Sequence, residues 1–238
     1  MNISNKKYST ALWNKYHSGK IPVIPDIKCR SPQEGDLLQG RDPVIIAEAL
    51  AAAGAPVLSV VTEPKYFGGS PELLQRIVQA TSLPILCKDF IKKREQLQES
   101  VDLGASAVLL IASMLEKEQL FKLIDDALML GLEPLVEIHN EAEIVSVKEL
   151  NLGMIGINNR SIVELEMDDG TVRTTEELAR LISPKTLVIS ESSISSSTDV
   201  ARAIAAGAHA VLVGTAILQS RDPAEMYRTL SEAGVKSL

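Results

Sequence analysis

The chain has 238 residues and a formal net charge of −7, and its residues are 45% hydrophobic but only 3% aromatic. This length fits one large α/β domain or two smaller ones. The acidic balance and the scarcity of rings argue against a nucleic-acid surface, which needs basic side chains and stacking platforms. No apolar run reaches the ~20 residues of a membrane span, and the N-terminus lacks the apolar core of a signal peptide. We therefore expect a cytoplasmic protein.

The first 20 residues are polar with scattered aromatic side chains, and we expect a short helix packed over one end of the domain. After them a single pattern repeats, in which an apolar run rich in Val and Ile precedes a polar turn and an amphipathic segment. The pattern predicts eight strands: Val23–Lys28, Val57–Val61, Ile85–Lys88, Ala107–Ile111, Glu133–Ile138, Met154–Asn158, Thr186–Ser190 and Ala210–Val213. The predicted helices are Pro43–Ala53, Pro71–Ala80, Lys93–Leu103, Glu116–Leu130, Glu141–Leu150, Thr174–Ile182, Ser197–Ala206 and Pro223–Ala233.

Strict alternation of strand and helix predicts parallel strands with right-handed crossovers. Eight units of about 30 residues match a (β/α)8 TIM barrel, which we predict as a single domain over residues 1–238. A doubly wound open sheet is the alternative, although no predicted strand is followed by the pattern G-x-G-x-x-G. Two cysteines, Cys29 and Cys87, are too few for a disulfide framework or a zinc cluster, so we expect reduced structural thiols.

Polar side chains close seven of the eight predicted strands, at the barrel end where active sites lie. Asp26 and Lys28 end the first strand and share one face because side chains alternate along a strand. Alone, this pair is equally well explained by a surface salt bridge. The other strands add Lys88, Glu137 and Glu191. Neighbouring ammonium and carboxylate groups shift one another's pKa values apart, so that one group can donate a proton and another can accept it. The cluster therefore predicts a site for proton transfer.

A phosphate site is predicted beside this cluster. Gly214 and Thr215 follow the last strand and precede a short apolar turn, and Ser192 and Ser193 follow the seventh strand. Backbone N–H groups after strands 7 and 8 commonly bind phosphate in such barrels, and Ser31 adds a hydroxyl after the first strand. The alternative for Gly214 is a glycine that merely permits a tight turn.

The three histidines do not predict a metal site, because no cluster has the spacing of metal ligands. His139 follows Glu137 by two residues and is expected at the rim of the site. His209 precedes the last strand and is expected at the opposite end of the barrel. His17 lies in the polar N-terminal segment.

The strand ends together resemble the indole-3-glycerol phosphate synthase family, from about Pro22 to Leu218. No single motif is decisive, but their order and spacing are specific. The motifs are Ser59–Ser70 (SVVTEPKYFGGS), Pro84–Ile91 (PILCKDFI), Ala107–Ile111 (AVLLI), Pro134–Ile138 (PLVEI), Ile155–Arg160 (IGINNR) and Val211–Thr215 (VLVGT).

The resemblance implies ring closure of a carboxyphenylamino-deoxyribulose 5-phosphate with loss of CO2 and water, without metal or organic cofactor. It implies that Lys88 is the general acid, that Lys28 pairs with the substrate carboxylate and shares in the acid chemistry, and that Glu137 is a general acid/base. Asp26 takes the place of a further catalytic carboxylate. The implied binding residues are Asn158 and Arg160 for the anilino and carboxylate groups, Glu191 and Ser192 for the sugar, Phe67 and Phe90 for the ring, and Ser31, Gly214 and Thr215 for the phosphate.

Three positions depart from the family pattern: Asp26 replaces a glutamate, Cys29 an arginine and Ser193 a glycine. Aspartate is shorter by about 1.5 Å, and a misplacement near 1 Å can slow a reaction about 100-fold. Two alternatives therefore stay open: a diverged paralogue acting on another phosphosugar, and a barrel that binds a phosphorylated ligand or partner protein without catalysis. We expect a small phosphorylated substrate and a monomeric protein.

Overall fold

The computed structural model describes residues 7–160 and 170–233, so residues 1–6 of the predicted N-terminal segment lie outside the described ranges. Eight parallel strands close into a barrel in which each strand pairs with the next and the last pairs with the first. The closed sheet confirms the (β/α)8 prediction and excludes the open sheet. The strands are β1 (Val23–Ile27), β2 (Leu58–Val61), β3 (Ile85–Lys88), β4 (Ala107–Ile111), β5 (Glu133–Ile138), β6 (Met154–Asn158), β7 (Leu187–Glu191) and β8 (Ala210–Val213).

The helices of the described ranges alternate with these strands. They are α1 (Tyr8–His17), α2 (Pro43–Ala52), α3 (Pro71–Ala80), α4 (Arg94–Asp102), α5 (Lys117–Met129), α6 (Glu141–Val147), α7 (Arg173–Leu178), α8 (Ser197–Ala205), α9 (Thr215–Gln219) and α10 (Pro223–Ser231). The side chains of Asp42 and Ser70 cap α2 and α3, because each accepts a hydrogen bond from the first turn of its helix. None of these helices is both long and apolar enough to span a membrane.

The barrel buries two apolar layers that hold its strand ends in place. One layer fills the interior and includes Ile24, Leu86 and Leu135, all fully buried. The other lies between the strands and the surrounding helices. Burying one such aliphatic side chain stabilises the fold by about 1.5–3 kcal/mol, so the strands form a rigid platform for the residues at their C-terminal ends.

Helix α1 closes the N-terminal end of the barrel, as predicted for the segment before the first strand. Tyr8 and Leu12 are fully buried among the interior side chains. The Ser9 backbone N–H donates to Glu133 at the start of β5, over 3.2 Å. Trp13 packs edge-on against His209 with ring centroids 4.7 Å apart, which confirms that His209 lies away from the C-terminal ends.

Candidate functional site

Two adjoining cavities lie at the C-terminal ends of the strands. The larger has a volume of about 270 Å³ and is lined by polar groups that include Arg160, Ser192, Ser193, Gly214 and Thr215. The narrower one has a more apolar lining that includes Phe67, Phe90, Leu109, Glu137 and Asn158. Asp26, Lys28 and Lys88 line both cavities. The site is thus a polar chamber and an aromatic chamber that meet at two lysines.

Two phenylalanines form a wall of the aromatic chamber. The rings of Phe67 and Phe90 meet edge to face with centroids 6.5 Å apart. The Lys28 Nζ lies 5.6 Å from the centroid of Phe67, within the range of a cation–π contact. A flat aromatic group with an anionic substituent fits this combination of rings and a nearby ammonium group.

The loop that carries Phe67 is held by a carboxylate that the sequence analysis did not single out. Glu63 is buried and accepts three backbone N–H groups, those of Lys65 (2.8 Å), Tyr66 (2.7 Å) and Phe67 (3.1 Å). The guanidinium of Arg30 donates to backbone carbonyls of the same loop, including Pro64 O at 3.0 Å. These contacts fix the backbone at Phe67 and therefore the position of its ring.

Glu137 is almost completely buried at the end of β5. The Asn158 side chain on β6 donates to its Oε1 over 3.1 Å. Burial alone would raise the pKa of Glu137, but His139 and the charge of Lys88 outweigh burial and hold that pKa below its ordinary value. Glu137 is therefore an ionised carboxylate, which suits a proton acceptor.

Glu191 is fully buried at the end of β7 and has a different protonation state. Its Oε2 lies 3.8 Å from the Lys88 Nζ, and neither oxygen accepts a hydrogen bond within the described ranges. Burial, followed by the charge of Glu137, raises the pKa of Glu191 to about 8, although the charge of Lys88 opposes this. At neutral pH the site therefore holds one ionised and one protonated glutamate, a division suited to acid–base chemistry.

Asp26 is held against a neighbouring strand. The Ser59 hydroxyl on β2 donates to its Oδ1 over 2.6 Å, and both side chains are buried. A Cβ added at Gly214 would lie 3.3 Å from the Oδ2 of Asp26, so the glycine lets the end of β8 approach the carboxylate closely. Asp26 thus lines both cavities from a fixed position.

The turn after β7 has unusual backbone geometry. Ser192 and Ser193 have φ values of 65° and 58°, in the left-handed region that favours glycine. The buried side chain of Asn159 donates to the carbonyls of Glu191 (2.8 Å) and Ser192 (3.2 Å), which fixes the turn. The Ser193 hydroxyl accepts a hydrogen bond from Arg160 Nε over 3.2 Å. Ser193 therefore tethers the Arg160 side chain at the cavity wall.

The structure gathers nearly all of the predicted site residues around these cavities. Two of them line neither cavity. Ser31 is buried and its hydroxyl accepts the backbone N–H of Gln33 over 3.3 Å, and Glu191 is fully buried beside Lys88. Glu63, Ser59 and Asn159 are supporting residues that the sequence analysis assigned no role. Ser59 and Asn159 contact other strands or loops, and Glu63 contacts the backbone of its own loop. The only sequence signal was a polar residue within or beside an apolar run.

Comparison with known proteins identifies the family to which the sequence is similar. The sequence model of one family, described as indole-3-glycerol phosphate synthase, matches residues 1–230. A protein of Thermococcus kodakarensis with that name is 45% identical over 216 residues, which cover 91% of this chain and 94% of the relative. A Pyrococcus furiosus protein of the same name has the same identity and coverage. A Listeria monocytogenes protein of that name is 37% identical over 233 residues, covering 98% of this chain and 88% of the relative.

Among solved structures, the thiamine phosphate pyrophosphorylase of Pyrococcus furiosus is similar with a TM-score of 0.65. The match covers 90% of this chain and 95% of that one, but the sequences are only 11% identical. At this identity the likeness concerns the barrel fold alone.

Proposed function

The chain belongs to the indole-3-glycerol phosphate synthase family, and on that premise we propose the family's reaction for it. The enzyme would close the indole ring of 1-(2-carboxyphenylamino)-1-deoxyribulose 5-phosphate and release CO2 and water. One observation carries the assignment to this site: an aromatic chamber and a polar chamber meet at Lys28 and Lys88. The substrate has the same two parts, an aryl amine and a sugar phosphate, joined at the reacting atoms.

In this proposal the aryl group lies against Phe67 and Phe90, with its carboxylate near Lys28. The ribulose chain crosses between the lysines, and the phosphate occupies the polar chamber beside Ser192, Ser193 and Thr215. The separation of an apolar wall from a polar wall fixes the orientation of the substrate, because each part is desolvated favourably in only one chamber.

Ring closure forms a bond between the ring carbon that bears the carboxylate and the keto carbon of the sugar. Lys88 donates a proton to the keto oxygen as this bond forms, so the oxygen becomes a hydroxyl. Glu191, 3.8 Å from the Lys88 Nζ, contributes a carboxyl group beside the ammonium group. The carboxylate then leaves as CO2, and its bonding electrons restore the aromatic ring.

Dehydration completes the indole. The hydroxyl group leaves as water after it receives a proton from a lysine, and Glu137 takes a proton from the adjacent methylene carbon. The ionised state of Glu137 suits this role, and the hydrogen bond from Asn158 orients its carboxylate. In total the substrate loses one CO2 and one water and takes up one proton, because the lysines donate two protons and Glu137 accepts one. The steps balance without an oxidant.

The test is incubation of the purified protein with the carboxyphenylamino-deoxyribulose phosphate while indole fluorescence and released CO2 are followed. We expect both products in equal amounts, and at most a trace from Lys88→Met. Tight binding by calorimetry without either product would instead identify a barrel that binds a phosphorylated ligand and does not catalyse. No binding of this compound would point to another phosphosugar.

A further inference from the structure

His139 lies between two carboxylates just beyond the end of β5. Its Nε2 is 3.3 Å from Oε1 of Glu137, and its Nδ1 is 3.3 Å from Oε2 of Glu143. The side chains of His139 and Glu143 are only 14% and 16% exposed. Glu143, His139 and Glu137 therefore form a row of carboxylate, imidazole and carboxylate. The row runs from the first turn of α6 to Glu137, the base of the proposed reaction.

The outer end of this row is firmly held. Oε2 of Glu143 accepts the backbone N–H of His139 over 2.9 Å, and its Oε1 accepts the Asn140 side-chain amide over 2.6 Å. The Asn140 side chain in turn caps α6 by accepting the Glu143 N–H over 3.0 Å. Because Glu143 belongs to a capped helix start, it gives the imidazole ring a fixed partner.

The inner end of the row meets Glu137 on one oxygen only. Both Asn158 Nδ2 and His139 Nε2 approach Oε1 of Glu137. The His139 contact has the distance of an ion pair but falls short of hydrogen-bond geometry, and such contacts often tighten when substrate binds. With Oε1 engaged from two sides, Oε2 is the oxygen left to act on the substrate in the proposed reaction.

We propose that His139 is a positioning residue, held by Glu143, that keeps the Glu137 carboxylate charged and aimed at the reacting atoms. The inference rests on the proposed function for its consequence in catalysis. His139 acts through Glu137 and does not itself touch the substrate. Neither His139 nor Glu143 was given a catalytic role by the sequence, because an imidazole after a strand end is usually a solvated rim residue.

The charged groups around His139 determine how its protonation responds to pH. Within the described ranges His139 faces Glu137 and Glu143 and acts more weakly on Glu191 from β7, and Glu137 also faces Lys88 from β3 and Glu191. Burial alone would lower the pKa of His139, but the two carboxylates outweigh burial and raise it to about 9. The imidazole is therefore positively charged at neutral pH and loses its charge near pH 9, where Glu137 loses the charged partner that holds its carboxylate.

NMR titration of the His139 imidazole tests its pairing with Glu137 and Glu143 independently of turnover. The chain has three histidines, so His17→Gln and His209→Gln variants assign the His139 signal. We expect His139 to titrate near pH 9, and to titrate about one unit lower or more in Glu143→Gln. Titration at an ordinary value near 6.5, or no shift in Glu143→Gln, would overturn the proposal.

Kinetics then test the catalytic consequence. His139→Gln offers an amide in place of the imidazolium, and we expect kcat to fall about tenfold or more with a small change in KM. In Glu143→Gln the alkaline limb of the kcat profile should move with the measured pKa of His139. A wild-type kcat in His139→Gln at every pH would contradict the proposal. If the wild-type protein turns over no substrate, the proposed function fails. The titration alone then decides whether Glu143 holds a charged His139 beside Glu137.

Discussion

The carboxylate of Glu191 crosses over Gly156 on the neighbouring strand and occupies the space that a Cβ at position 156 would need. Gly156 lies within β6, where a glycine is otherwise unfavourable. The close approach explains the glycine, since a larger residue would displace Glu191 from its place beside Lys88.

Gly156→Ala should therefore lower kcat by about 10–100-fold, because a shift near 1 Å in a catalytic group has an effect of that size. The matched control is Gly153→Ala, just before the same strand, where a Cβ meets nothing within 4 Å. Steady-state kinetics of the two variants give the comparison. Equal activity in both would show that the position of Glu191 is unimportant for turnover.

Because Glu191 is buried and must lose its proton at high pH, it should reduce the stability of the folded protein there. Burial and the charge of Glu137 raise its pKa to about 8, so between its ordinary pKa and pH 8 the folded protein holds a proton that the unfolded chain releases. The contribution of Glu191 to the free energy of unfolding therefore falls as pH rises through that window. We expect Glu191→Gln to be more stable than the wild type by on the order of 1–2 kcal/mol at pH 8, and by less at pH 5. Urea unfolding at both pH values measures this, and an equal difference at pH 5 and pH 8 would contradict it.

Removing the carboxylate of Glu63 should loosen the wall of the aromatic chamber. Glu63→Ala leaves three backbone N–H groups without their acceptor, and Phe67 loses its fixed position. We expect KM to rise about tenfold and stability to fall by at least about 2 kcal/mol, since each hydrogen bond to a charged group contributes about 1.5–3 kcal/mol. Lys65→Ala, an exposed change in the same loop, serves as the control and should leave KM unchanged.

Substitution of Asp26 tests whether the short side chain of aspartate at this position limits turnover. Its carboxylate is held by Ser59 at 2.6 Å, whereas a glutamate would extend about 1.5 Å further into the cavity. We expect Asp26→Glu to raise kcat about tenfold or more, since the side chain then matches the family pattern. Asp26→Asn, which keeps the size but removes the charge, should lower kcat. An unchanged or reduced kcat in Asp26→Glu would mean that this site has adjusted to aspartate.

Much of the fold could be predicted from the sequence, because the barrel depends on a repeated local pattern. The predicted first strand ended at Lys28 and the observed one ends at Ile27, a typical boundary difference. The helix predicted over Glu141–Leu150 stops at Val147, and the one predicted over Thr174–Ile182 stops at Leu178 before a short turn.

The gathering of the lysines and acids also followed from the sequence, because the topology alone places all strand ends at one rim. The supporting contacts did not follow. The carboxylate of Glu63 accepts N–H groups only once its own loop has folded, and Asn159 reaches a turn more than thirty residues away. The sequence analysis drew nothing from Gly156, although a glycine within a strand often marks a close approach, and the sequence does not identify the side chain that approaches it.

The central claim is that Lys88 supplies the proton at ring closure, and one pair of variants tests it most directly. Lys88→Met and Lys92→Met remove lysines four residues apart, one lining both cavities and one exposed outside them. We predict that kcat for indole formation falls by about 100-fold or more in Lys88→Met and stays at the wild-type value in Lys92→Met. Comparable turnover in Lys88→Met and the wild type would contradict the account.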